Sequence, residues 1–181
     1  MAEFTSTIQQ VAAGQNAVLD TDVIRSRCVS HRTGSGLICV DNSGCDCKPA
    51  RYKVFVKANI SIPTGGTVEA ISLGIALNGE IVQSSIATVT PAAVGDEFSV
   101  ATEEIINAGK CPVNIAVRNP NTQTIEISNL VVIAERICYG GRIMHEYSTR
   151  IGANIKSCYP AFNKMTRQAL EEMNDWASVL K

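Results

Sequence analysis

The chain has 181 residues, of which 45% are apolar and 18% charged, and its 16 basic and 17 acidic side chains leave a formal net charge of −1. That length holds one domain plus an appendage, and the near-neutral balance gives no electrostatic footprint for nucleic acid or an anionic membrane. No stretch reaches the roughly 20 apolar residues of a membrane helix, and the polar start lacks the basic and apolar regions of a signal peptide, so synthesis in a cytosol is expected.

In chain order, residues 1–7 read as an arm, frayed or bound by a partner. Residues 8–13 and 17–19 read as short strands separated by Gly14-Gln15-Asn16, a turn composition. A further short strand is expected over 23–29, with Arg25 and Arg27 on one face. His31 to Gly36 is a loop, Leu37 to Val40 a strand, and Asp41 to Pro49 a second loop that holds Cys45-Asp46-Cys47.

Residues 51–80 carry the strongest pattern. Tyr52, Val54, Val56, Ala58, Ile60 and Ile62 fall at even positions, whereas Ile71, Leu73, Ile75 and Leu77 fall at odd ones, after a break at Pro63 to Gly66. A period of two predicts two long strands, each with one buried face, read here as the central meander of the domain. Asn78-Gly79 supplies the positive-φ pair of a type I′ turn, which returns the chain into Ile81-Val82. The meander is expected to continue to Val89, and Pro91 to Gly95 is a connection. Phe98, Val100 and Ile105 mark another strand, and Val113, Ile115 and Val117 alternate cleanly. Residues 124–137 form the last strand, where Ile125 and Ile127 alternate before Leu130-Val131-Val132-Ile133 runs continuously apolar. Such a run implies that both faces are covered, by the core on one side and a neighbouring subunit on the other, which makes Leu130 and Val132 interface residues. Eight to ten short strands with no helix before residue 138 predict a two-sheet jelly roll or sandwich.

Beyond Cys138 the character changes. Residues 139–181 carry net +2 against −3 for residues 1–138. From Pro160, well placed in a first helical turn, Phe162, Met165, Ala169, Met173, Trp176 and Leu180 recur at spacings of 3, 4, 4, 3 and 4. That stripe keeps to one face of a straight helix. The expected division is therefore a β-domain over 1–138 and a linker plus amphipathic helix over 139–181, with Phe162, Met165, Met173, Trp176 and Leu180 as interface residues.

The seven cysteines are many for a cytosolic product, and odd in number. Cys39, Cys111 and Cys138 read as small buried thiols. Cys28, Cys45 and Cys47 are the candidates for a metal set, but Cys-x-Cys lacks the paired spacing of a zinc site. Disulfide formation in an oxidising environment is weighted above metal binding, and no cofactor is expected.

A series of short motifs carries a resemblance. Val11-Ala12-Ala13-Gly14-Gln15-Asn16, His31-Arg32-x-Gly34-x-Gly36-Leu37, Tyr52-x-Val54, Ile62-Pro63-Thr64-Gly65-Gly66-Thr67-Val68 and Leu73-Gly74-Ile75-Ala76-Leu77-Asn78-Gly79-Glu80 occur in that order. Thr90-Pro91-Ala92-Ala93-Val94, Asn119 and Ile133-Ala134-Glu135-Arg136 complete the set. Over residues 5–138 the chain resembles bacterial and phage relatives of the tumour-necrosis-factor/complement-type jelly roll, in particular proteins of Clostridia and their phages encoded among virion genes. The resemblance implies a ten-strand jelly roll that trimerises through the sheet containing its last strand, in a virion surface protein or adhesive tip. It does not extend to 139–181.

Catalysis finds no constellation. His31 and His145 lie in different segments without partner motifs, and His31 in a Gly/Ser loop reads as a loop hydrogen-bonder. His145-Glu146 lacks the second histidine of a helical metal motif, Gly34-Ser35-Gly36 lacks the nucleophile-elbow pattern, and Pro63 to Gly66 is a turn rather than a phosphate loop. The expected function is a non-enzymatic phage structural protein on the virion surface, a homotrimer that decorates a capsid or forms a head fibre. Its helix would fasten it to other virion proteins. The alternatives are a tail or baseplate adhesin that binds a host receptor or glycan through loops 30–36, 41–49 and 119–123, and a bacterial spore or cell-surface protein.

Overall fold

A computed structural model describes residues 1–41, 50–108 and 112–137. The helical stripe with Phe162, Met165, Met173, Trp176 and Leu180, and the loop with Cys45 and Cys47, lie outside the described residues.

The described residues are all-β, with two antiparallel sheets and, apart from a single 3-10 turn, no helix. The strands are β1 (Ala2–Ser6), β2 (Gln9–Val11), β3 (Thr21–Ile24), β4 (Val29–His31), β5 (Ile38–Val40), β6 (Ala50–Ser61), β7 (Ile71–Leu77), β8 (Glu80–Ile81), β9 (Ala87–Val89), β10 (Phe98–Ala108), β11 (Val113–Arg118) and β12 (Ile125–Ile137). One sheet runs β10-β6-β12-β1-β3, with β2 also on β12, and the other runs β4-β5-β11-β7-β8, with β9 also on β7.

The alternating faces of both sheets meet in one core. Tyr52, Val54, Val56, Ala58 and Ile60 of β6 are each at most 1% exposed, as are Ile71, Leu73 and Ile75 of β7. The even and odd registers read from the sequence are therefore the buried ones. The two strands do not pair, however: β6 lies in one sheet and β7 in the other. Residues 62–70 carry the chain across, opening with a turn in which the Gly66 amide donates to the Pro63 carbonyl at 2.9 Å and Gly65 takes φ 91°. The two strands thus bury their apolar faces in the one core from opposite sheets.

The hairpin at Asn78-Gly79 forms as the dipeptide dictates, with φ of 52° and 92° and Leu77 opposite Glu80. The chain then turns over the outer side of β7. Ser85, fully buried, accepts from the Ile75 amide at 2.8 Å, while Ile81 and Ile86 pack where a side chain on Gly74 would stand.

The amino-terminal arm is instead strand β1, held between β12 and β3, with Ala2 and Phe4 at most 1% exposed. Five residues with two inward side chains are too short for a periodic signal; what orders them is the edge that β12 offers.

The turn after β11 is organised by Asn119, whose residue is fully buried. Its Nδ2 donates to the carbonyls of Val11, Ala12 and Gln123 at 2.8, 3.1 and 2.9 Å. Its Oδ1 accepts from the Asn121 amide and side chain. Asn121 in turn pairs its amide group with both backbone groups of Ser72. Two asparagines thus tie one end of both sheets together.

Candidate functional site: the outer face of the β12 sheet

β12 contains a bulge. Ser128 faces Asn59 of β6, but Val131 faces Lys57, so three steps on one strand match two on the other. Asn129 absorbs the extra residue at φ 51°, a left-handed conformation that asparagine tolerates better than most side chains. Burial consequently switches from odd positions, Ile125 and Ile127, to even ones, Leu130, Val132 and Ala134. Leu130 and Val132, expected at an interface, are fully buried in the chain's own core. The residues of that run that face away from it are Val131 and Ile133, both partly exposed.

Cross-strand register places their neighbours. Ile133 lies between Phe55 of β6 and Glu3 of β1, and Phe55 has Glu103 of β10 on its other side. Val131 lies between Lys57 and Thr5, and Lys57 stands opposite Ala101. In the adjoining row Glu135 faces Lys53, which faces Ile105, 57% exposed. The sheet thus presents an apolar centre of Phe55, Val131 and Ile133 ringed by charges of both signs. Lys53 Nζ is 2.6 Å from Glu103 Oε2. This hydrogen bond, then the Coulomb attraction of Glu103, with a smaller contribution from Glu135, holds Lys53 above its ordinary pKa. Sequence reasoning missed Phe55 and Ile133 because the bulge, which reassigns the faces, carries no periodic signal. Ser128-Asn129 inside an apolar strand was the available clue.

The remaining expectations fall elsewhere. Cys28, 9% exposed, is disulfide-bonded, which removes its thiolate from any metal set. Cys39 is a free, partly buried thiol. No cluster of three or more potential metal ligands occurs among the described residues. His31 has both ring nitrogens engaged, Nδ1 with Asp22 and Nε2 with the Ser35 carbonyl, and its side chain is closed to solvent. At the end of the sandwich that holds the 62–70 crossing and the Asn119 turn lies a polar cleft of about 370 Å³, lined by Gln10, Thr64, Thr67, Gln123 and Thr124. No aromatic side chain lines it. No helix among the described residues is long and apolar enough to cross a membrane.

No family model and no curated protein matches the chain. Solved structures with partial likeness include the dimeric latent PorU of Porphyromonas gingivalis, at 9% identity and TM-score 0.34 over 75% of this chain and 13% of that one. An arabinose-bound α-L-arabinofuranosidase, MgGH51, aligns at 10% identity and TM-score 0.33, over 74% and 23% of the two chains. The isomalto-dextranase of Arthrobacter globiformis T6 complexed with panose aligns at 9% identity and TM-score 0.30, over 69% and 23%. The chain spans less than a quarter of each of these proteins.

Proposed function

We propose that this chain is a non-enzymatic virion structural protein: a jelly roll that trimerises through the outer face of the β12 sheet and decorates a phage capsid or forms a head fibre. The observation that carries the trimer is the composition of that face. Phe55, Val131 and Ile133 form an apolar centre on a sheet whose own core lies on its other side, and a contiguous apolar patch with a mixed-charge rim is what subunit interfaces present. The jelly-roll reading is supported by the strand order. The first and last strands of the described fold, β1 and β12, are neighbours in one sheet, and the chain passes repeatedly between the sheets, from β6 to β7 and back to β10. The virion assignment rests on the resemblance to proteins of Clostridia phages. The segment 139–181, with the stripe ending in Trp176 and Leu180, is assigned the contact with the shell.

Two measurements separate the parts. Immunogold labelling of gradient-purified particles from a producing culture is expected to mark virions; label confined to host cells would overturn the virion role. Full-length chain carrying Trp176→Glu and Leu180→Glu should still trimerise but no longer co-sediment with capsids, and undiminished co-sedimentation would remove the anchoring role.

A tail or baseplate adhesin is the second reading, favoured by the polar cleft beside Gln123. Saturable binding on a glycan array, lost on Gln123→Ala, would select it over decoration.

A further inference from the structure

His31 ends β4 at the edge of one sheet, and Asp22 lies on β3 at the edge of the other. The His31 side chain is 0% exposed and Asp22 8%. Nε2 of the imidazole is 3.1 Å from the Ser35 carbonyl oxygen, which also accepts from the Leu19 amide at 3.0 Å. A carbonyl cannot donate, so Nε2 carries a proton. Nδ1 is 2.7 Å from Asp22 Oδ1. In a neutral ring protonated at Nε2, Nδ1 is a bare acceptor, and so is every oxygen of an ionised carboxylate. Two acceptors do not rest at that separation, so a second proton must lie between them.

The surroundings indicate where it sits. β3 presents Asp22, whose other carboxylate oxygen has the cationic Arg25 Nε at 3.3 Å. β1 presents the uncharged Phe4, its ring centroid 5.1 Å from the imidazole. β5 pairs through Ile38, and the loop between β4 and β5 presents the Ser35 carbonyl.

We propose that Asp22 and His31 form a proton-dependent latch between the two sheets, with His31 held as an imidazolium against the Asp22 carboxylate. Neither residue belongs to the trimer face, and the latch stands whether or not the chain is a virion protein. Loss of the Nδ1 proton turns the contact from a charge-assisted hydrogen bond into a lone-pair repulsion. Stability therefore falls as pH rises through that deprotonation. The same event loosens the Leu19–Ser35 and Gly34–Leu19 backbone bonds that close this edge.

The test uses the full chain with His145→Gln, which leaves His31 as the sole histidine. Nitrogen-15 spectra of the folded protein at pH 6 are expected to show both ring nitrogens protonated. When raising the pH removes the Nδ1 proton, amide exchange at Leu19 and Gly34 should accelerate and the folding equilibrium constant should drop roughly tenfold to a hundredfold, the range for a charged hydrogen bond. In Asp22→Asn the introduced amide can donate to Nδ1 of a neutral ring, so the contact survives and the pH dependence flattens. A bare Nδ1 in the folded wild-type protein at pH 6 would overturn the latch, as would identical pH profiles for wild type and Asp22→Asn. The spectrum of the wild-type ring decides the matter even if the variant does not fold.

Discussion

Asn119 illustrates how much one polar side chain can hold. It is fully buried, yet its donors and its acceptor all find backbone or side-chain partners from β2, the following turn and the loop before β12. Asn119→Ala strands several of these groups, so a loss on the order of 3 kcal/mol is expected in urea denaturation. Asn119→Asp should cost more, because carboxylate oxygens would face the carbonyls of Val11, Ala12 and Gln123. Asp20 makes a smaller, pH-dependent contribution. The Thr7 hydroxyl at 2.8 Å, with its backbone amide at 3.2 Å, holds the Asp20 carboxyl below its ordinary 3.8, against the raising effect of burial. A depressed carboxyl stabilises the fold above the unfolded value and loses that stabilisation as pH falls through the folded one. Between about pH 5 and pH 2, Asp20→Asn should therefore lose less stability than wild type in a midpoint-versus-pH series. Equal slopes would show that the Thr7 bonds contribute nothing.

At the scale of elements, alternation was legible wherever a strand ran unbroken. β6, β7 and β11 bury the residues their periodicity selects, apart from the partly exposed Leu77 and Val113 at strand ends, and Asn78-Gly79 makes the hairpin its chemistry requires. What the pattern could not contain was partnership. Nothing in residues 51–80 says whether two amphipathic strands sit side by side or face each other across a core, and β1 owes its order to β12. The bulge at Asn129 lay between these cases, visible as a polar pair inside an apolar run but not as a change of face. Its importance is measurable. Asn129→Gly should be tolerated, whereas Asn129→Val forces a β-branched residue into left-handed backbone at a cost of about 1–2 kcal/mol. Deleting Asn129 should leave the chain folded with the same faces buried, because it removes the extra residue and lets Leu130 stand opposite Ala58 while Val131 stays opposite Lys57. A deletion chain that loses its strand signal would show that the bulge itself is required. Circular dichroism of the deletion chain checks this directly.

At the largest scale, the two sheets of the described residues share one core, and one of them offers a second apolar surface on its far side. Reading that surface from the sequence required the bulge, so Leu130 and Val132 stood in for Val131 and Ile133; Phe55, an odd residue in an even-patterned strand, was the overlooked sign of it. The proposed trimer depends on this face. Ile133→Asp places a charge at its apolar centre while leaving the chain's own core untouched, so the variant should fold with wild-type circular dichroism and lose self-association. Sedimentation equilibrium of the full-length chain beside Ile133→Asp is the most direct test. A wild-type mass three times the 19.4 kDa of one chain, falling to a single chain in the variant, is the predicted result. A wild-type protein that stays monomeric at high concentration, or a trimer indifferent to the substitution, would contradict the assignment of this face.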